Sequence, residues 1–231
     1  MLADILVNNW FDSTQQILVW LHVFAGILWI GHLYFFNFVN ANFQPKLDKE
    51  IKQKVNPQLL PRALFWFRWG AMITFLAGLA LFTLIYMYDP GTKEFGPSGA
   101  FRETIKSVGA DGAVHEATKL TGRAIWIMVG MACGFVMWFN VWFVIWPRQQ
   151  KIIRAVRDGQ APDAAMVKTA GNASKLNTYL SGPMLMGMLA PSHSPGANIP
   201  TVIIGVLIGL AVVFHVFMVA PKVGTDIGQN K

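Results

Sequence analysis

Five stretches of mostly apolar residues run along the chain, and polar or charged connections separate them. The predicted helices span residues 16–40, 62–88, 121–147, 176–190 and 200–220. Crossing the hydrocarbon of a bilayer takes about 20 apolar residues, which four of these stretches provide. The fourth stretch is short and contains Gly182, Pro183 and Gly187, so four full spans is the alternative. The pattern predicts an all-α, polytopic membrane bundle that forms a single domain over residues 1–231.

Basic residues are concentrated in two of the connections. The connection after the first helix carries Lys46, Lys49, Lys52, Lys54 and Arg62, and the one after the third carries Arg148, Lys151, Arg154, Arg157, Lys168 and Lys175. Residues 89–122 mix acidic with basic side chains, and the turn 191–200 has no Lys or Arg. Because short cytoplasmic loops are enriched in Lys and Arg, this pattern predicts a periplasmic N-terminus and a cytoplasmic C-terminus.

The composition agrees with a membrane protein, since 54% of the residues are hydrophobic and only 13% are charged. The net charge of +7 comes from the two basic connections, so nucleic acid is not an expected partner. None of the five apolar stretches contains Asp or Glu, which disfavours ion-coupled transport. The first stretch is too long for a cleaved signal peptide, and we expect it to remain as an anchor.

The apolar stretches do contain histidines. Helices rise about 1.5 Å per residue, so His32 lies about 24 Å below the start of the first helix and His215 about 22 Å below the start of the fifth. Two imidazoles at one level on different helices can ligate b-type haem. This places His32 and His215 as ligands of an inner haem. His22 and His193 form a second expected pair near the outer side.

Other residues suit the same interpretation. Arg62 or Arg68 would pair with propionates of the inner haem, and Lys119 and Arg123 would serve an outer one. Glycines that would admit a porphyrin are Gly26, Gly31 and Gly209. Cys133 is the single cysteine and the sequence has no CxxCH, so we expect one or two non-covalent b haems and no covalent haem c.

Three other interpretations stay open at this stage. Each membrane histidine can instead hydrogen-bond a neighbouring helix. Copper binding would use histidines together with Met184, Met186 and Met188. A cofactor-free accessory subunit would use the small-residue faces of the helices for packing against a larger complex.

Three motifs resemble a known family. They are LHVFAGILWIGHLYFFNFVN, PRALFWFRWGAMITFLAGL and SKLNTYLSGPMLMGMLAPSH, from the first, second and fourth helices. Together they resemble the N-terminal membrane domain of the bacterial membrane-bound urate oxidase (urate hydroxylase) family. The first also looks, more loosely, like the copper-resistance D family.

The resemblance implies a multi-pass protein of the bacterial inner membrane. Family members join this domain to a C-terminal cytochrome c domain with a CxxCH site, which the sequence here lacks. We therefore expect a b-type cytochrome-like subunit that transfers electrons within or beside a respiratory or photosynthetic complex. The alternatives are a urate hydroxylase component, with a site near His193 and a separate cytochrome c, and the accessory subunit. Expected partners are membrane lipid and either other subunits or that cytochrome c.

Overall fold

The computed structural model describes residues 10–108, 113–193 and 196–224. Five helices follow in chain order: α1 (Trp10–Lys46), α2 (Lys49–Tyr86), α3 (Gly122–Arg157), α4 (Ala164–His193) and α5 (Ile199–Lys222). Helix α1 contains a π-helical turn at Phe35–Asn40 and α3 contains another at Asn140–Ile145. A helix occupies each of the five predicted positions.

Four of these helices, α1, α2, α3 and α5, are long and apolar enough to cross a membrane. The coarse prediction of a multi-pass helical membrane protein is therefore confirmed. The exact number of spans and the orientation stay predictions. Helix α4 is 30 residues long but is not apolar enough to be among these four.

The helices extend past the apolar stretches on the side of the basic connections. Helix α4 begins at Ala164, not near residue 176, because Asp163 accepts hydrogen bonds from the backbone N–H groups of Ala165 (2.7 Å) and Met166 (3.3 Å). Such a side chain satisfies donors that a helix start leaves free. Apolar length alone does not reveal a start of this kind.

Two antiparallel hairpins lie between α2 and α3, where the sequence suggested only a connection. The first pairs β1 (Tyr88–Asp89) with β2 (Glu94–Phe95), and the second pairs β3 (Arg102–Val108) with β4 (Val114–Leu120). Every residue of β3 and β4 is exposed. These strands bury neither face, so they lack the alternation of apolar and polar residues that predicts a strand.

The helices pack as a bundle in which α1 lies on α2, and α4 lies between α3 and α5. A core of large apolar side chains joins them at the level of Trp29, Leu33, Phe67, Met137 and Val141. Backbones approach closely where glycines face each other: Gly130 with Gly187 between α3 and α4, and Gly182 with Gly209 between α4 and α5.

Two hydrogen bonds mark the two ends of the bundle. At the basic end, the Gln53 side-chain amide donates to the Arg157 carbonyl (3.2 Å). At the hairpin end, the Trp126 indole N–H donates to the Gly196 carbonyl (3.4 Å). Helix α4 therefore runs the length of the bundle, from the loop after α3 at one end to the start of α5 at the other.

Candidate functional site

A cavity of about 540 Å³ opens at the basic end, between α1, α2, α3, α4 and α5. Its polar walls are Asn37, Asn40, Asn42, Gln149, Asn172, Ser174 and Lys175. Its aromatic walls are Phe36, Phe67 and Phe217. The size lies in the range of small-molecule sites, which combine apolar walls with a few polar groups.

Both π-helical turns border this cavity. Asn37 and Asn40 belong to the turn in α1, and Ile145 ends the turn in α3. A π-helical turn adds a residue to one helical turn and so redirects the side chains around it, and such turns are frequent at functional sites. Two of them at one cavity favour a binding site over a simple packing defect.

Hydrogen bonds between α1 and α4 form the back wall. The Asn37 amide donates to the Ser174 hydroxyl (2.8 Å) and to the Leu33 carbonyl (2.9 Å). A second contact joins Tyr34, one turn before Asn37 in α1, to Ser181, two turns after Ser174 in α4. The hydroxyls of these two residues are 2.9 Å apart. These bonds fix the rotamers of the side chains that line the cavity.

A second group of hydrogen bonds joins α4 to the π-helical turn of α3. The fully buried Asn177 donates to the Met137 carbonyl (2.9 Å) and accepts from the Asn140 amide (2.8 Å). Thr178 and Ser181 are also fully buried and donate to backbone carbonyls of α4. Because each buried polar group has a partner, this layer holds the helices in one arrangement.

The charge of the cavity is positive. Lys175 lies with its ammonium 5.7 Å from the centre of the Phe217 ring, within the range of a cation–π contact. None of the described lining residues is Asp or Glu. The cavity therefore combines amides, hydroxyls, aromatic rings and one cation, which suits a planar, polar, anionic ligand.

The predicted histidines lie elsewhere. His22 is partly buried between α1 and α2, where its Nδ1 is 2.9 Å from the Thr74 carbonyl and its ring lies over Gly78. His32 is partly buried too, and its Nδ1 donates to the Leu28 carbonyl of its own helix (2.7 Å). His193 is exposed at the end of α4 and bonds the Leu189 carbonyl in the same way (2.9 Å).

His215 lies on the exposed face of α5. Phe217 contacts Phe38 of α1 and Tyr179 of α4, with ring centroids 5.0 Å apart in each case. His215 is two residues earlier, which is about 200° around the helix, so it faces away from both. The structure thus does not bring His32 and His215 to a common space, and it records no contact between His22 and His193. Their haem ligation stays a prediction.

The predicted cationic partners are distributed over both ends. Arg62 is exposed and bonds the Gln58 carbonyl. Arg68 stacks on aromatic side chains between α2 and α3. Lys119 pairs with Glu103 across the second hairpin (3.1 Å), and Arg123 is exposed at the start of α3. Among the described residues no group of three or more His, Cys, Asp or Glu side chains is placed to hold a metal ion.

Comparison with known proteins identifies the family. The model for the urate oxidase N-terminal region matches residues 8–110 and 108–226. The chain belongs to the urate oxidase N-terminal family. No curated protein and no solved structure gives a significant match.

All three family motifs meet at the cavity. The motif of α1 supplies Asn37 and Asn40, the motif of α2 supplies Leu64 and Phe67, and the motif of α4 supplies Ser174 and Lys175. The sequence analysis singled out the histidines of these motifs and missed their amides and hydroxyls. The available signal was three asparagines within NFVNAN and the polar run SKLNTYLS, both unusual in membrane helices.

Proposed function

We propose that this member of the urate oxidase N-terminal family is the urate-binding membrane component of a urate-oxidising system, and that urate binds in the cavity at the basic end. The observation that carries this proposal is the meeting of the α1 and α4 family motifs at one cavity with amide, hydroxyl and cationic walls. The position differs from the site near His193 that the sequence suggested, because the cavity lies at the opposite end of α4.

The chemistry of urate matches these walls. Urate is a flat purine with N–H donors and C=O acceptors around its rim, and it carries one negative charge at neutral pH. Asparagine and glutamine amides offer a donor beside an acceptor, so Asn40 and Gln149 can pair with such an edge. Asn37 already donates both of its amide N–H groups, and its Oδ1 can accept from a urate N–H. Lys175 supplies the opposite charge. Phe36 and Phe67 provide apolar surface for the ring faces.

Oxidation of urate requires an electron acceptor. We propose that a separate cytochrome c or another respiratory subunit takes this role, as the relationship to urate oxidase suggests. The role of the cavity residues is then to bind the purine, to orient it and to compensate its charge.

A second candidate is the predicted b-type cytochrome function, favoured by one observation. His32 donates from Nδ1 to a carbonyl, which leaves Nε2 as the ligating nitrogen, and histidine ligands of metals commonly have this second hydrogen bond. The opposed direction of His215 does not fit a His32–His215 pair within one described bundle, so no electron-transfer step is derived through haem. A reduced-minus-oxidised visible spectrum of the purified protein distinguishes this candidate from the first.

We also propose five membrane crossings, with the N-terminus periplasmic, the C-terminus cytoplasmic and the bacterial inner membrane as the location. The grouping of the basic connections at one end supports this orientation. Under this proposal urate reaches the cavity from the cytoplasmic side.

Urate binding to the purified protein in detergent tests the first proposal by isothermal titration calorimetry. The Lys175→Met variant keeps the apolar stem and removes the charge, and we expect affinity to fall roughly tenfold because a charge-assisted contact is lost. Lys168→Met is the matched control, since Lys168 is exposed on the same helix and does not line the cavity. Equal affinities of the two variants, or no saturable binding by the unaltered protein, would contradict the proposal.

A further inference from the structure

Arg68 is a membrane-level arginine whose positive charge has no acidic partner among the described residues. Its guanidinium carbon lies 3.8 Å from the centre of the Trp146 ring, 5.8 Å from that of Trp142 and 5.9 Å from that of Phe65. The side chain as a whole is only partly buried. Stacking on aromatic rings holds the guanidinium flat but does not use its N–H groups.

Two enclosed donors at this place have no hydrogen-bond partner. They are the Nε of Arg68 and the indole Nε1 of Trp142. Leaving a buried donor unpaired destabilises the folded protein, and more so when the donor is charged. Both donors belong to one cluster of stacked side chains and one of them is cationic, so an acceptor from outside the protein would relieve both.

The aromatic side chains around Arg68 favour a lipid headgroup as the source of that acceptor. Phe65, Trp66 and Trp69 are exposed next to Arg68 on α2, and Trp69 packs edge-to-face on Trp142 of α3 at 5.6 Å. Exposed aromatic side chains of a membrane helix collect at the level of the lipid headgroups. The groove between α2 and α3 that these side chains border lies toward the basic end. None of Phe65, Trp66, Arg68, Trp69 and Trp142 lines the cavity at that end.

We propose that Arg68, Trp142 and Trp146 form a site for the phosphate of an anionic phospholipid. The phosphate accepts hydrogen bonds from the guanidinium and the Trp142 indole, while Trp146 fixes the plane of the guanidinium. Basic pockets between membrane helices bind headgroups of this kind. A net negative lipid is required because the cation is otherwise uncompensated. The site is independent of urate binding.

Thermal unfolding of the delipidated protein in a nonionic detergent tests the proposal, with phosphatidylglycerol titrated into the micelles. We expect saturable stabilisation of the unaltered protein, and apparent affinity about tenfold weaker for Arg68→Gln because the charged contact is lost. Phosphatidylcholine, which has no net charge, should not stabilise at the same mole fraction. Inorganic phosphate should not do so either, since it lacks the acyl chains that keep the headgroup in the groove.

Arg154→Gln is the matched control, because Arg154 is an exposed arginine at the same end of α3. It should retain the affinity of the unaltered protein. Where Arg68→Gln does not fold, Trp142→Phe keeps the ring and removes only the Nε1–H, and it should weaken phosphatidylglycerol binding several-fold. Equal stabilisation of Arg68→Gln or Trp142→Phe and the unaltered protein overturns the proposal, as does equal stabilisation by phosphatidylcholine or by inorganic phosphate.

Discussion

Single glycines decide how closely the helices around α4 approach. A Cβ at Gly182 would overlap the Gly209 carbonyl oxygen, and a Cβ at Gly209 would lie 2.7 Å from the Pro183 nitrogen. Backbone atoms cannot give way as a flexible side chain can. The α4–α5 contact therefore depends on the absence of a side chain at both positions, as is common in membrane helix packing.

We expect Gly182→Ala to destabilise the protein by about 2 kcal/mol or more, because α5 must move outward to admit the methyl group. Gly171→Ala is the control on the same helix, since nothing lies within 4 Å of a Cβ there. It should raise stability by roughly 0.5–1 kcal/mol through the better helix propensity of alanine. Thermal unfolding in a mild detergent measures both. Equal midpoints for the two variants would contradict the close α4–α5 contact.

The glycines show how far helix contacts can be predicted from the sequence at the scale of single residues. Gly209, which the sequence analysis assigned to admitting a porphyrin, faces Gly182 of α4, and Gly187 faces Gly130 of α3. Gly171 is also in a helix yet has open space beside it. Which glycine faces a neighbour depends on the rotation of each helix in the bundle, and composition does not encode that rotation.

At the scale of elements, the π-helical turn of α3 depends on a side chain from α4. The Asn140 amide, at the start of the turn, donates to the fully buried Asn177, which itself donates to the Met137 carbonyl just before the turn. A π-helical turn disturbs the regular ladder of backbone bonds, so polar side chains nearby stabilise it.

We expect Asn177→Leu, a change of similar volume, to cost about 1–3 kcal/mol because the partly buried Asn140 amide loses its acceptor. The loss should be accompanied by weaker urate binding, since Ile145 at the end of this turn lines the cavity. Thr83→Val is the control: its exposed hydroxyl donates only to the Leu79 carbonyl of its own helix. Thermal unfolding with and without urate measures both effects. Unchanged stability of Asn177→Leu would show that the buried bonds do not hold the turn.

Helix positions followed from apolar length, but π-helical turns did not. The sequence around Asn37 and Asn140 reads as ordinary helix, and the extra residue in each turn is accommodated only when the neighbouring helix supplies partners. The cavity was unpredictable for the same reason: Asn37 of α1 and Ser174 of α4 are 137 positions apart in the chain and meet only through tertiary packing. The histidines attracted attention because ionisable groups in apolar stretches are conspicuous, whereas neutral amides are not.

At the scale of the whole molecule, the composition of α4 does not decide whether this helix crosses the membrane. Its polar residues Asn177, Thr178 and Ser181 are fully buried against other helices, so lipid does not meet them. A helix enclosed by protein can carry polar side chains that a lipid-facing helix cannot. Its 30 residues correspond to about 45 Å, which exceeds the hydrocarbon thickness. Low hydropathy is therefore consistent with a fifth crossing.

Labelling of single cysteines tests this topology in a Cys133→Ser background, using a membrane-impermeant maleimide on spheroplasts. Thr92→Cys, between the strands of the first hairpin, and Ser192→Cys, near the end of α4, are expected to react without permeabilisation. Lys54→Cys in α2 and Gln160→Cys in the loop before α4 are expected to react only afterwards, because both lie at the basic end. If Ser192→Cys instead behaves like Gln160→Cys, α4 does not cross. In that case α5 would begin at the basic end and run away from it. Only the five-crossing arrangement brings the C-terminal end of α5, with Phe217 and Pro221, to the same side as the other walls of the proposed urate cavity.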